Sequence, residues 1–252
     1  MVHAPDDQQN FIGHLAELHR RLIFSAAAIL VMTVLSFTFS RQLLHLLVLP
    51  MGDVRLKAFN LMDGFFVQLR IALFAGITLT VPIWLYQGYR FVLPALYPRE
   101  RKAITPFLTS AVLLFFTGIG FGYYMLKGMI HVLIWMFPPQ IEFLPSADSY
   151  ISFVVFFLLV CGFTFLFPSV LILLVQLGLV SVDWLRKQRK IAYFILFVIA
   201  EIITPVADPI VAPLTIMIPL VLLFEGSMLV GRRIEKNRLL RDAAEATVEQ
   251  AV

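Results

Sequence analysis

Apolar residues run along this chain in six long stretches, and the polar positions collect in the gaps between them. The stretches occupy about residues 22–40, 66–88, 103–127, 149–177, 190–206 and 210–230. Most approach the ~20 residues that a helix needs to cross ~30 Å of hydrocarbon. None shows the alternation of a barrel strand, and a backbone in lipid must satisfy its own hydrogen bonds. The pattern predicts an all-α, polytopic membrane protein with six transmembrane helices. The fifth stretch reaches only about 24 Å over residues 191–206 at ~1.5 Å per residue, so it must thin the bilayer or hide its ends among neighbours. Ahead of the first span, Phe11, Leu15, Leu18 and Leu22 recur at helical spacing, with His14, Glu17 and Arg21 opposite. That predicts an amphipathic helix over about residues 8–21, lying on the inner leaflet before the chain turns into the membrane. Pro82, Pro106, Pro168, Pro205, Pro213 and Pro219 fall inside spans and predict kinks, which favour a concave bundle.

Composition agrees with that reading: 60% of residues are hydrophobic and 14% charged. Charge adds orientation. Arg20, Arg21, Arg90, Arg99, Arg101, Lys102, the group 186–190 and the group 232–241 hold fifteen of the 20 Lys and Arg residues, all in alternate gaps. The positive-inside rule places those gaps, and with them both termini, in the cytoplasm. The net charge of +4 then reflects topology and anionic headgroups and gives no reason to invoke nucleic acid. The expected organisation is one membrane domain over residues 1–233 and a charged cytoplasmic tail over 234–252. Arg41 to Asp63 and Met129 to Ser149 are the expected external loops. Residues 1–21 are too mixed for a cleavable signal, so the first span is expected to be retained.

The single cysteine, Cys161, lies mid-span and offers neither a disulfide nor a thiolate metal site. No P-loop, G-x-G-x-x-G or H-E-x-x-H pattern occurs, so no cofactor, metal or enzymatic activity is expected. Any transport would draw on a gradient or a partner.

Two segments at the basic ends of the spans carry the functional argument. The first is His14-Leu15-Ala16-Glu17-Leu18-His19-Arg20-Arg21-Leu22. The second runs from Phe91 through Pro94-Ala95-Leu96-Tyr97-Pro98-Arg99-Glu100-Arg101. Each sets one carboxylate among basic neighbours. Taken alone, Glu17 could simply pair with Arg20 or Arg21, and Glu100 with an adjacent base. His14 and His19 read as a polar face rather than a metal site.

These segments, with Val81-Pro82-Ile83-Trp84-Leu85-Tyr86-Gln87, Asp63-Gly64-Phe65-Phe66, Gly162-Phe163, Thr204-Pro205 and Leu223-Phe224-Glu225, resemble the TatC family over about residues 11–233. TatC proteins are receptor subunits of the twin-arginine translocase, driven by the proton-motive force in the plasma (inner) membrane of prokaryotes. The resemblance implies a cupped six-helix receptor for twin-arginine signal peptides on folded cargo. It further implies a multimeric assembly with single-span TatA- and TatB-type subunits. Glu17 and Glu100 match the positions that would hold the arginines. Arg21, Leu18, Leu96 and Tyr97 would complete the site. Guanidinium pairs bidentately with carboxylate and is always charged, so two rim carboxylates suit that ligand.

Within or at the edge of the membrane lie Glu201, Asp208 and Glu225. An acid at a span's centre costs at least about 2.5–3.5 kcal/mol, which makes each a functional candidate. Many relatives carry a glutamate where this chain has Leu166. Glu201 is the candidate to supply that carboxylate from a neighbouring helix, and with Thr204 it marks the expected docking surface for single-span partners. The alternative function is a secondary transporter of a small solute, which would show repeat symmetry that this sequence lacks. An intramembrane hydrolase using His45 or His131 lacks any Ser/Asp constellation nearby.

Overall fold

A computed structural model of the chain describes residues 5–52, 54–92, 104–135, 138, 140, 144–176, 178–203 and 211–249. Ten α-helices account for most of them. These are α1 (Pro5–Phe37), α2 (Ser40–Val48), α3 (Asp63–Leu79), α4 (Val81–Val92), α5 (Ile104–Trp135), α6 (Ala147–Phe165), α7 (Phe167–Gln176), α8 (Val182–Lys187), α9 (Arg189–Ile203) and α10 (Val211–Glu249). The expected all-α class is what is seen. Among the described residues the only β pairing is an isolated parallel bridge between Lys57 and Ser146.

The chain forms two compact units, one of residues 1–112 and 140–159, the other of 113–139 and 160–252. In the first, α1 packs against α3 and α4, and α2 against α3. Gly76 makes that seat possible, because a Cβ there would lie 2.8 Å from the backbone nitrogen of Thr33 on α1. Close backbone approach at small residues is how helices associate in lipid, where apolar burial gives little drive. Asp63 opens α3 by accepting the backbone N–H groups of Phe59 (2.8 Å) and Asn60 (3.0 Å), which fixes the chain's entry into the helix. Tyr150 donates to the Leu47 carbonyl at 2.9 Å, and Arg70 pairs with Asp148 and Ser152, tying the start of α6 to α2 and α3.

In the second unit α7, α8 and α9 all seat on α10. Phe115, Leu196, Leu220, Phe224 and Met228 are buried there. Gly118 of α5 approaches α6 so closely that a Cβ would meet the Cys161 carbonyl at 2.7 Å and the Phe165 Cβ at 2.8 Å.

Several expected boundaries shift, each for a local reason. The amphipathic segment and the first span are one unbroken helix, α1, with no turn between them, because no Gly-Pro or capping signal interrupts residues 13–37. The second span divides into α3 and α4, bent by 51° around Thr80. Pro82 causes this, since it lacks an N–H and its ring crowds the carbonyl four residues back. The fourth span breaks at Leu166, two residues before Pro168, by the same means. By contrast Pro219 sits inside an unbroken α10, while Pro106 and Pro213 fall in the first turns of α5 and α10. Pro205 lies outside the described residues.

The expected external loop from Arg41 is helical through Val48, where Leu47 is buried. Residues from Met129, expected to open a loop, continue α5 to Trp135, because Met129 and Ile130 are buried and extend the helix past the polar Lys127-Gly128 pair. The tail is helical to Glu249 as a continuation of α10. Three described helical stretches are long and apolar enough to cross a membrane, at Gly13–Phe37, Phe107–Trp135 and Ala147–Gln176, or four if the bent α3–α4 pair is one span.

Candidate functional site

The first motif segment meets Phe91, the residue that opens the second, in the first unit. α1 carries Glu17 and Arg21 four residues apart, one turn along the same helix face. Arg21 Nε donates to Glu17 Oε1 at 3.0 Å and Nη2 donates to the same oxygen. Its remaining nitrogen, Nη1, donates to Gln87 Oε1 of α4 at 3.2 Å. The guanidinium is thus largely buried, its side chain 15% exposed, while Glu17 is 37% exposed. One turn earlier, the His14 ring stacks on Phe91 at the end of α4, with centroids 4.1 Å apart. His14 Nδ1 lies 4.0 Å from Glu17 Oε2. Leu18 is exposed beside them. Glu17 precedes the apolar run that begins at Leu22, and the Arg21 guanidinium holds its carboxyl below the usual carboxylate range.

This geometry leaves one carboxylate oxygen, Oε2, without a hydrogen bond among the described residues, since Arg21 uses Oε1 twice. The local pairing of Glu17 with Arg21 that residue type alone allowed is present, and it does not close the carboxylate. Phe91, where the second motif starts, is held against the first. Glu100, Leu96 and Tyr97 lie outside the described residues.

A second carboxylate cluster occurs in the other unit. Glu225 of α10 accepts from Arg189 Nη2 of α9 at 2.6 Å and from the Tyr193 hydroxyl. Arg189 Nε is buried without a hydrogen-bond partner among the described residues. Glu201, on α9, is half-buried and has no hydrogen bond or ion pair among the described residues. Leu166 is buried at the α6–α7 break. α7 and α9 both seat on α10. Thr204 and Asp208 lie outside the described residues. No group of three or more His, Cys, Asp or Glu side chains among the described residues is placed to hold a metal.

Sequence reasoning passed over three of the participants. Gln87 stood inside a quoted motif without a role, Arg189 counted only toward topology, and Tyr193 was not singled out. A polar Gln one turn before a basic helix end was the available signal.

An all-helical chain with several stretches long and apolar enough to cross a membrane defines a helical membrane protein. The comparisons with known proteins make the class specific. The model of the TatC family, described as Sec-independent protein translocase protein (TatC), matches residues 13–219. The TatC protein of Magnetococcus marinus is 35% identical over 240 residues, covering 93% of this chain and 88% of that protein. TatCy of Bacillus subtilis is 31% identical over 262 residues and covers 98% of each. Two crystal structures described as the twin arginine translocase receptor TatC superpose with TM-scores of 0.74 and 0.76 at 33% and 34% identity. They cover 88% and 86% of this chain and 99% of each solved chain. The chain belongs to the TatC family of Sec-independent protein translocase proteins.

Proposed function

We propose that this protein is the signal-peptide receptor and core subunit of a twin-arginine translocase in the inner membrane of a prokaryote. On this reading both termini are cytoplasmic and the protein is not an enzyme. The observation that carries the proposal is the half-open Glu17 carboxylate, oriented by Arg21 and Gln87 and adjoining the start of the segment that bears Glu100. An incoming guanidinium would reach Oε2 with both its own N–H groups and its charge. Hydrogen bonds to a charged group contribute roughly 1.5–3 kcal/mol each when shielded and far less when exposed. Selectivity for two arginines therefore calls for Glu17 and Glu100 together, with Leu18, Leu96 and Tyr97 offering apolar contact to the rest of the signal.

Glu201, with Thr204 and Asp208 shortly after it in the sequence, is the proposed contact for TatA- and TatB-type single-span subunits. A half-buried, unpaired glutamate in lipid gains about 0.6–2 kcal/mol from a partner across helices. Whether Glu201 also stands in for the carboxylate missing at Leu166 is tested by Glu201→Gln, which should weaken partner association without altering peptide binding. Assembly would be multimeric, and the proton-motive force would drive export. The experiment that tests the receptor reading is binding of a labelled twin-arginine peptide to the purified protein in nanodiscs. Solute uptake by the protein alone would instead support a secondary transporter.

A further inference from the structure

A groove of about 450 Å³ opens in the second unit, where α8 meets the C-terminal half of α10. α10 lines it with Arg232, Glu235, Lys236, Leu239 and Leu240. Their spacing of three, four, seven and eight residues puts them on one helix face. Both acids at the groove already have internal contacts. Glu235 Oε2 accepts the Val182 N–H at 3.2 Å, capping the first turn of α8, and Asp183 faces Arg186 at 3.9 Å. Arg232 and Lys236 make no ion pair among the described residues. Leu239 and Leu240 are 57% and 60% exposed. The groove thus presents three cations against two acids, with neither Arg232 nor Lys236 in an ion pair among the described residues, beside two uncovered leucines.

Depth decides what could fill it. The apolar part of α10 ends near Val230, and Leu239 lies nine residues further, about 13 Å at ~1.5 Å per residue. The polar headgroup layer adds only roughly 5–8 Å on each side of the hydrocarbon. On the topology of the proposed function, a lipid phosphate could meet Arg232, but its acyl chains would run back toward the hydrocarbon and away from the leucines. A basic segment would be repelled by Arg232 and Lys236. What fits is a helix with carboxylates opposite the cations and apolar side chains opposite the leucines, laid along two turns of α10.

We propose that the α8–α10 groove is a docking site for an acidic amphipathic helix of a partner polypeptide. It is separate from the rim around Glu17 and selects the opposite charge.

The test uses the full chain in nanodiscs of zwitterionic lipid and a fluorescein-labelled, 18-residue helical peptide with leucines and glutamates at i, i+4 spacing, read by anisotropy. Saturable binding is expected. It should weaken at least tenfold in an Arg232→Glu, Lys236→Glu double variant and about threefold or more in Leu239→Gln, Leu240→Gln. A peptide with lysines replacing the glutamates should bind the charge-reversed variant in preference to the parent, which also shows that the variant is folded. Equal binding of the acidic peptide to parent and variants would overturn the proposal. So would its displacement by anionic lipid added to the nanodisc, which would make this a headgroup site. A change confined to self-association, measured by sedimentation, would make the face a contact between copies and would overturn it as well.

Discussion

Of the arginine–carboxylate pairs among the described residues, Glu17–Arg21 and Glu225–Arg189 are built differently. Glu17 and Arg21 are four residues apart on one helix, so their pair forms wherever α1 is helical and closes no loop in the chain. Glu225 and Arg189 are 36 residues apart and join α10 to α9. The first is half-open to solvent and uses one carboxylate oxygen. The second engages both oxygens, one with Arg189 and one with Tyr193. A pair held within one helix can be exchanged for another guanidinium at little loss of structure. A pair that joins two helices cannot. On the proposed function, that difference suits Glu17 to ligand exchange and Glu225 to helix positioning.

The strongest way to break that division is to unseat the helix that presents the rim. Gly76→Ala pushes a methyl into the Thr33 backbone, and overpacking of this kind costs about 1–3 kcal/mol. Thermal unfolding in detergent should show a lowered midpoint, and peptide binding should fall with it. Next comes Glu225→Gln, which leaves the Arg189 guanidinium partly buried and unpaired. Breaking a fully buried pair costs about 3–5 kcal/mol, and partial exposure here reduces that to roughly 1–2. A double-mutant cycle with Arg189→Gln should recover a coupling of at least about 0.5 kcal/mol, while peptide affinity stays unchanged.

Smaller still is the effect of pH on the rim. Because Arg21 lowers the Glu17 pKa, the carboxylate persists as pH falls through the ordinary carboxylate range. Peptide affinity should be flat from pH 8 down to that range and drop only beneath it. The smallest effect is that of Glu17→Gln on stability, where the unfolding midpoint should not move.

The helical class was legible because long apolar runs have one solution in lipid. The break at Pro82 was legible too, since a proline signals its own defect. Helix ends were not. Met129 and Ile130 extend α5 through tertiary burial, and no local residue announces it. The rim shows the same limit. Glu17 could be singled out from charge and motif, but Gln87 was invisible as a participant because its partner lies 66 residues away. Arg189 looked like topology until Glu225 was found beside it. Local rules reach pairs one turn apart, and packing decides the rest.

The most direct test of the account compares twin-arginine and twin-lysine peptides on the nanodisc-embedded protein with its Glu17→Gln and Glu100→Gln variants. The account predicts selective binding of the arginine peptide, weakened at least tenfold in each variant while the folded protein's unfolding midpoint is unchanged. Equal affinity for both peptides, indifferent to both substitutions, would contradict it and leave only a general attraction of charged peptide to the membrane surface.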